Sequence, residues 1–271
     1  MIQDIEPHIF NNEYKPRPAK DGDFVFVYHA GLAFVNNKNQ LPKFCELKDL
    51  QDMIYLFCVD GIGFYLVKHY MTGGNYVPIQ SLYRAIEPEW LAFAAATCAH
   101  LAVWYESNQF CGKCATSTVM SESERAMACP ACGLIKYPSI APVVIVGITN
   151  ADKILLTKYA QGHTRYALVA GFVEIGETLE NAVKREVMEE VGLRVKNISY
   201  YKSQPWAISQ SLLMGFYCEL DSSDEVSIDE QELSEATWFH RNDIPKDDTR
   251  MSLTWDMIEN FREQNKPCCF A

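Results

Sequence analysis

The hydrophobic pattern of the N-terminal part of the chain predicts short strands followed by one long helix. Runs of aromatic and β-branched residues predict strands at Phe24–Tyr28, Met53–Cys58 and Phe64–Val67, with Asp60-Gly61 as a hairpin turn. The nearly continuous apolar run inside Glu87–Asn108 predicts a buried helix. Strands and helix do not alternate in a regular order, which favours a mixed, β-rich domain.

The rest of the chain shows a second series of strands, interrupted by an amphipathic helix. A linker at Tyr137–Pro142 precedes a hairpin that turns at Asn150–Asp152. We expect Trp238 and Phe239 in a strand or core and a terminal helix at Met251–Gln264. The other expected strands are Val143–Ile148, Lys153–Tyr159, Tyr166–Ala170, Val195–Tyr201 and Leu212–Leu220. The sequence therefore predicts an α+β fold, that is, a mixed α/β arrangement.

The amphipathic helix has clear predicted ends. Thr178 is a residue type that caps helix starts, and Glu177 lies beside the positive N-terminal end. Gly192 tolerates the left-handed backbone that ends many helices. Between them, apolar residues recur at helical spacing at Leu179, Ala182, Val183 and Val187. This segment is predicted to be a loop, a helix and a loop.

Three glutamates crowd one face of this helix. Glu186 lies three residues before Glu189 and four before Glu190, which makes their side chains neighbours. Clustered carboxylates repel one another unless a cation lies among them, and oxygen ligands suit Mg²⁺ or Mn²⁺. The alternative is an ordinary acidic surface helix, which leaves the nearby glycines and Arg185 without an explanation.

Four cysteines predict a second metal site. Cys111, Cys114, Cys129 and Cys132 form two CxxC pairs, and this spacing is typical of a structural Zn²⁺ ribbon. A redox role for either pair alone would not explain both pairs. The remaining cysteines lack ligand spacing: Cys45, Cys58, Cys98 and Cys218 are interpreted as small apolar side chains, and Cys268 and Cys269 are not assigned.

Composition limits the classes of function. The 271 residues suit two or three domains, and 24 basic against 35 acidic side chains give a net charge of −11. Such an acidic chain repels bulk nucleic acid, which disfavours a general DNA- or RNA-coating role. The N-terminus resembles no signal peptide and no apolar run is long enough to span a bilayer, so we expect a soluble, cytoplasmic protein with no membrane partner.

The acidic helix and its flanks resemble the signature of the Nudix hydrolases. Its fixed positions correspond to Gly171, Glu177, Arg185, Glu186, Val187, Glu189, Glu190, Gly192 and Leu193. The ribbon before it and several further segments are similar to the NADH pyrophosphatase (NAD diphosphatase) family. These segments are Phe110–Cys114, Tyr137-Pro138, Ile140–Pro142, Leu168–Glu174 and Ser203–Trp206.

This resemblance implies a domain plan. It places an N-terminal NADH-pyrophosphatase-like domain at residues 1–105, a four-cysteine zinc ribbon at 106–138, a Nudix domain at 139–264 and a tail at 265–271. The Nudix domain of such proteins is an α/β/α sandwich. Members of the family are typically homodimers, which we expect here as well.

The resemblance also implies roles at the site. Glu177, Arg185, Glu186, Glu189 and Glu190 would be the catalytic group, with the last three as Mg²⁺ or Mn²⁺ ligands. It adds as metal ligands Glu232 and the backbone carbonyl of Ala170. The implied substrate contacts are Arg84, Tyr137, Phe172, Gln204, Pro205, Trp206, Ala207, Ile208, Ser209, Gln210, Ser211 and Thr254.

The implied activity is metal-dependent cleavage of NAD(H) into NMN(H) and AMP. One departure concerns the substrate: Ala207-Ile208-Ser209 stands where the family has Pro-Phe-Pro, which removes rigidity and a stacking surface. A second, milder departure is Ala115, where the family has glycine. The alternatives are removal of the NAD cap from RNA, hydrolysis of ADP-ribose or diadenosine polyphosphates, and a nucleotide sensor without catalysis.

Overall fold

The structure is a computed structural model that describes residues 1–47, 50–69, 71, 75–161, 165–246 and 251–263; the side chains of residues 83–85 lie outside this description. By their contacts, the residues form two compact units. The first comprises Ile2–Ser139 and Ala207–Gln210; the second comprises Met1, Ile140–Trp206 and the chain from Ser211 onward. The finer division into four parts stays a prediction. The predicted tail, with Cys268 and Cys269, lies outside the described residues.

The first unit contains a six-stranded sheet and two helices. The sheet has the order β1-β4-β5-β2-β3-β6, and only β2 and β5 pair in parallel. Asp60 and Gly61 form the β4–β5 turn with positive φ, as the sequence predicted. The elements are β1 (Phe10–Asn11), β2 (Phe24–His29), β3 (Leu32–Val35), β4 (Ile54–Val59), β5 (Ile62–Val67), β6 (Asn75–Pro78), α1 (Ile79–Ala85) and α2 (Glu89–Ser107).

The predicted ribbon follows α2 as a small antiparallel sheet of its own. Its three strands are β7 (Val119–Met120), β8 (Met127–Ala128) and β9 (Ile135–Lys136). Two hairpins of such short strands bury little apolar surface, so a sheet of this size requires another source of stability.

The second unit contains a six-stranded sheet between two helices. The strand order is β13-β14-β10-β11-β15, β12 pairs with β10, and the β10–β14 pair is parallel. The elements are β10 (Ala141–Asn150), β11 (Lys153–Tyr159), β12 (Val169–Phe172), α3 (Leu179–Val191), β13 (Val195–Trp206), β14 (Ser211–Leu220), β15 (Leu233–His240) and α4 (Leu253–Glu263).

The alternation of side chains along β10 separates two cores. Val144 and Val146 pack in one cluster with Val183 of α3. Val143, one position earlier, lies in a second cluster with Met257 of α4. Successive strand residues face opposite sides of a sheet, so β10 packs against α3 on one face and against α4 on the other. The unit is an α/β/α sandwich, and the predicted mixed α+β fold is confirmed.

Strand β13 is longer than the sequence analysis expected. It continues past Tyr201 to Trp206, with irregular pairing between Lys196/Ser199 and Tyr200/Ser203. Pro205 lies inside this strand, which is possible because β13 is at the edge of the sheet and one side of its backbone needs no partner strand.

Candidate active site

Helix α3 begins and ends at its predicted caps. The Thr178 side chain accepts a hydrogen bond from the Asn181 N–H at 3.3 Å, which satisfies one of the helix's first free donors. Gly192 has φ of 69°, and its N–H donates to the Met188 carbonyl at 3.1 Å. This left-handed C-terminal glycine ends the helix directly after the three glutamates.

Two of the three glutamates are buried against strand β12. Glu186 is 8% exposed and Glu190 3%, whereas Glu189 is exposed. A Cβ atom on Gly171 would lie 1.9 Å from Cδ of Glu186, so only glycine leaves room for that carboxylate. Oε1 of Glu190 accepts a hydrogen bond from the Ala170 N–H at 3.3 Å. The N–H and C=O of a strand residue lie on one edge, so the Ala170 carbonyl faces this side too.

Arg185 joins the loop before the helix to the acidic face. Its guanidinium makes a two-point contact with Glu177, from Nε to Oε1 at 2.9 Å and from Nη2 to Oε2 at 2.8 Å. Nη1 donates to Glu186 at 2.6 Å and Glu189 at 3.0 Å, and Nη2 also donates to the Phe172 carbonyl at 2.9 Å. These five contacts use all five guanidinium N–H groups, so Arg185 fixes the loop and two glutamates together.

The electrostatics of the cluster differ from one carboxyl to the next. Burial raises the pKa of Glu190 to about 8, and the nearby charges of Glu186, Glu232 and Asp229 act in the same direction. Burial also raises the pKa of Glu186, although Arg185 opposes it. Like charges held together out of water disfavour ionisation of one another.

One side-chain oxygen of Glu190 has no hydrogen-bond partner among the described residues. Its Oε2 is buried and makes no hydrogen bond to any residue that the structure describes. A buried carboxylate oxygen without a partner is unfavourable, and a divalent cation would both pair with it and reduce the repulsion. Carboxylate oxygens are the donor type that suits a hard cation, although among the described residues no three of them lie within 4.8 Å of one another as the cysteine sulfurs do.

The segment before β15, an edge strand of the sheet, lies against the end of α3. The Asp229 N–H donates to the carbonyl of Glu190 at 3.0 Å, and the Ala160 N–H donates to the carbonyl of Glu232 at 2.8 Å. The charge of Glu232 raises the pKa of both Glu186 and Glu190. The charge of Glu232 thus acts on two glutamates of α3, although more than forty positions separate them in sequence.

The four cysteines of the ribbon come together in the first unit. Their sulfur atoms all lie within 4.8 Å of one another, with 3.6 Å between Cys111 and Cys132 and 3.5 Å between Cys114 and Cys129. Each pair ends in a turn with positive φ, 60° at Ala115 and 73° at Gly133. Four sulfurs at this separation suit one tetrahedral Zn²⁺ with no open position. The left-handed Ala115 carries a strain of about 1 kcal/mol that glycine would avoid.

Two segments of the chain match known protein-family models. Residues 139–261 match the NUDIX domain, and residues 106–137 match the NADH pyrophosphatase zinc ribbon domain. Residues 139–261 are thus similar to Nudix domains, and residues 106–137 are similar to the ribbon of NADH pyrophosphatases. Both matches agree with the resemblance seen in the sequence.

Relatives of this Nudix domain include "NAD-capped RNA hydrolase NudC" proteins. Those of Salmonella paratyphi C and Escherichia coli O9:H4 are each 49% identical, over 146 and 150 residues, which is 54% of this chain and 56% of theirs. The chain thus spans about half the length of the curated relatives it matches. A solved NUDIX hydrolase of Nitrosomonas europaea is 25% identical, over 58% of this chain and 92% of that one, with a TM-score of 0.47.

The predicted substrate contacts do not all lie in the Nudix domain. Phe172 is exposed beside the glutamates, and Thr254 lies in the first turn of α4. Tyr137 belongs to the first unit, where its hydroxyl donates to Glu124 at 3.0 Å. Ala207–Gln210, which includes the substituted Ala-Ile-Ser turn, also groups with the first unit. The side chain of Arg84 lies outside the described residues.

Two predicted contacts near that turn are buried. The Gln204 side chain is fully buried, donating to the Met251 carbonyl at 2.8 Å and accepting from the Leu253 N–H at 2.7 Å. Ser211 is 1% exposed in β14. Gln204 thus joins β13 to the start of α4, and its contact with a substrate stays a prediction, as do those of Pro205 and Trp206.

Two features of residues 139–261 leave no pattern in the sequence from which they could be predicted. Tyr159 is partly buried against the core, and its pKa is raised first by burial and then by the charges of Glu190 and Glu232. The segment Ser227–Gln231 is the other, since its composition suggests only an acidic loop. No local pattern identifies either, because both depend on contacts that form only when α3, β11 and β15 are assembled.

Among the described residues, no helix combines the length and the apolar character that a membrane span requires.

Proposed function

We propose that the chain is a metal-dependent hydrolase that cleaves the pyrophosphate of NAD(H) to give NMN(H) and AMP. The observation that supports this most is the buried acidic face of α3, where Oε2 of Glu190 lacks a partner among the described residues. An ordinary surface helix would not bury two carboxylates against a strand. The ribbon type and the NudC relatives support the choice of a nicotinamide dinucleotide.

In this proposal Glu186, Glu189 and Glu190 hold Mg²⁺ or Mn²⁺, together with Glu232 and the carbonyl of Ala170. A divalent cation supplies charge neutralisation for a pyrophosphate and lowers the pKa of water bound to it. The protein keeps these oxygens in place without the substrate. Arg185 binds Glu186 and Glu189 from one side, and the β12 backbone supports Glu190 from the other.

The remaining residues would orient the substrate. Phe172 is exposed next to the cluster, and its carbonyl is fixed by Arg185, so its ring can stack on a base or nicotinamide. Glu177 holds Arg185 in turn, and Arg185 lowers the pKa of Glu177, which keeps it charged. Glu177 therefore acts in this mechanism through Arg185.

Product analysis by mass spectrometry tests the proposal. Purified protein is incubated with NADH, NAD⁺, ADP-ribose and diadenosine polyphosphates, with Mg²⁺ or Mn²⁺ and with a chelator. NMNH plus AMP, formed only with metal, is expected. Glu190→Gln should abolish turnover and leave the fold intact, while Glu180→Gln, an exposed residue at the start of α3, should retain it. An active Glu190→Gln protein would contradict the metal assignment.

The second candidate is removal of the NAD cap from RNA, which the relatives' name favours. The net charge of −11 opposes strong binding of the RNA body, so cleavage would depend on the cap itself. Rates on NAD-capped RNA and on free NAD⁺, measured at two salt concentrations, separate the two. A capped substrate cut much faster than NAD⁺ would favour this candidate. If only ADP-ribose or diadenosine polyphosphates were cleaved, the substrate would be one of these and not NAD(H). The departure of Ala207–Ser209 from the family's Pro-Phe-Pro allows this outcome.

Other parts of the proposal have separate tests. We propose a structural Zn²⁺ on the four ribbon cysteines, a homodimer and a cytoplasmic location. Metal analysis should find one zinc per chain, and light scattering should give twice the mass of 30.8 kDa. A nucleotide sensor without catalysis is ranked lower, because every acidic position of the Nudix signature is retained.

A further inference from the structure

The segment Ser227–Leu233 is tied to the end of helix α3. The Ser227 N–H donates to the Val191 carbonyl at 3.1 Å, and the Asp229 N–H donates to the Glu190 carbonyl at 3.0 Å. These carbonyls belong to the last turn of the helix, where no helical N–H can reach them. A Cβ on Gly192 would lie 3.1 Å from Cβ of Ser227, so this glycine also permits the close approach.

The same segment is held from its other side by strand β11. The Ala160 N–H donates to the Glu232 carbonyl at 2.8 Å, and Leu233 pairs with Tyr159 as β15 begins. Glu232 therefore sits in a short turn whose two ends are fixed to two different elements. How that turn is folded decides where the carboxylate of Glu232 points.

Asp229 organises this turn with its side chain and its backbone. Its Oδ1 accepts a hydrogen bond from the Gln231 N–H at 2.9 Å. Its carbonyl accepts from the N–H groups of Glu232 at 3.1 Å and Leu233 at 2.8 Å. An aspartate that binds the N–H two residues later forms a turn that the backbone alone would not favour.

We propose that Asp229 is a positioning residue, which fixes the turn that presents Glu232 to the carboxylates of Glu186 and Glu190. The inference rests on the proposed function, because it assigns Asp229 a role through a predicted metal ligand. The assigned role uses Oδ1 of Asp229, which accepts from the Gln231 N–H, and requires no contact of Asp229 with the metal. The role requires an acceptor oxygen at position 229 and not a negative charge.

Mn²⁺ binding to the full chain, followed by electron paramagnetic resonance, provides a measurement independent of turnover. Asp229→Ala removes the acceptor and should weaken Mn²⁺ binding about threefold to tenfold, the effect of one lost hydrogen bond of ordinary strength. Asp229→Asn keeps the acceptor and should retain Mn²⁺ binding much better than Asp229→Ala, although it removes a charge that acts on Glu190. Glu230→Ala, which removes an exposed charge from the same turn, should have no effect.

A double-mutant cycle tests whether Asp229 acts through Glu232. In a Glu232→Ala background, Asp229→Ala should weaken Mn²⁺ binding no further. Hydrogen exchange at the Gln231 backbone N–H should be faster in Asp229→Ala than in the unmodified protein, while the two proteins unfold at the same temperature. This would show a local change in a folded protein.

Several results would overturn the inference. Asp229→Asn weakening binding as much as Asp229→Ala would assign the effect to charge, and additive effects in the cycle would separate Asp229 from Glu232. Glu190→Gln abolishing Mn²⁺ binding while Asp229→Ala leaves it unchanged would remove this role and leave the proposed function standing. No specific Mn²⁺ binding by the unmodified protein would overturn both.

Discussion

Asp23 in the first unit and Glu190 in the second are equally buried, each 3% exposed, yet they behave in opposite ways. Asp23 accepts four hydrogen bonds, two from Arg17 and two from backbone N–H groups. Burial alone would raise the pKa of Asp23, but these bonds lower it below the ordinary value. Glu190 accepts one bond at 3.3 Å, and burial raises its pKa to about 8.

The two places share a construction. Each has an arginine with a two-point contact to a carboxylate, Arg17 to Asp23 and Arg185 to Glu177. Each has a glycine whose missing Cβ makes room, Gly63 beside Arg17 and Gly171 beside Glu186. The difference is that the fold satisfies Asp23 completely with its own groups. In the proposed function, the carboxylate left without full compensation is the one that binds a cation, and this would distinguish the functional site from the structural one.

Exchanging the two carboxyls for amides should give the largest contrast. Asp23→Asn should destabilise the first unit by about 3 kcal/mol, since it leaves a buried arginine without its anion and two of the four donor groups without an acceptor. Glu190→Gln should leave the unfolding temperature of metal-free protein equal or higher, because it replaces a carboxyl whose pKa burial raises to about 8 by a neutral group of similar size. Chemical denaturation followed by hydrogen exchange in each unit measures both. A large loss of stability in Glu190→Gln would show that the comparison is wrong.

Replacing each arginine with lysine should separate stability from activity. Arg17→Lys loses two bonds to a charged group, so the first unit should lose about 1.5–3 kcal/mol. Arg185→Lys should slow turnover about 100-fold, because a lysine cannot hold Glu177, Glu186 and Glu189 together and a small misplacement of ligands is costly. Denaturation curves and steady-state rates of both variants decide. Equal loss of activity in both would remove the distinction between the two sites.

The two glycines should sharpen the same contrast. In Gly171→Ala the new Cβ would lie 1.9 Å from Cδ of Glu186, so the carboxylate must move and Mn²⁺ affinity should fall. In Gly63→Ala it would lie 2.8 Å from Nη2 of Arg17, which should cost about 1–3 kcal/mol of stability. Gly22→Ala is the control, because, apart from its chain neighbours, no described residue has a heavy atom within 4 Å of the new Cβ. Unchanged Mn²⁺ affinity in Gly171→Ala would contradict the described geometry.

How far the sequence predicted these two places follows from how each is built. The caps of α3 and its acidic face were predictable, since Thr178, Glu186 and Gly192 act within a few residues of one another. The ribbon was predictable for the same reason, because the two cysteines of each CxxC pair are only three residues apart in the sequence. Fixed local spacing leaves a pattern in the sequence, which long-range contacts do not.

The satisfied site was invisible in the sequence. Gly63 lies forty positions from Asp23, and nothing in either neighbourhood indicates that they meet. The length of β13 was missed because Pro205 normally argues against a strand, and only its place at a sheet edge allows it. The grouping of Ala207–Gln210 with the first unit, and the turn around Asp229, also depend on tertiary contacts.

Acid titration offers the finest test of the comparison. The pKa of Asp23 in the folded state lies below its value near 4 in the unfolded chain. The unfolded state therefore binds a proton first as the pH falls, so the pair's contribution to stability is fully present above about pH 4 and is lost below it. Stability of the first unit should decline as the pH falls below about 4 in the unmodified protein, and Asp23→Asn should lack this part of the decline. The same slope in both proteins would show that other carboxylates control the transition, and that Asp23 differs from Glu190 only in the number of its hydrogen bonds.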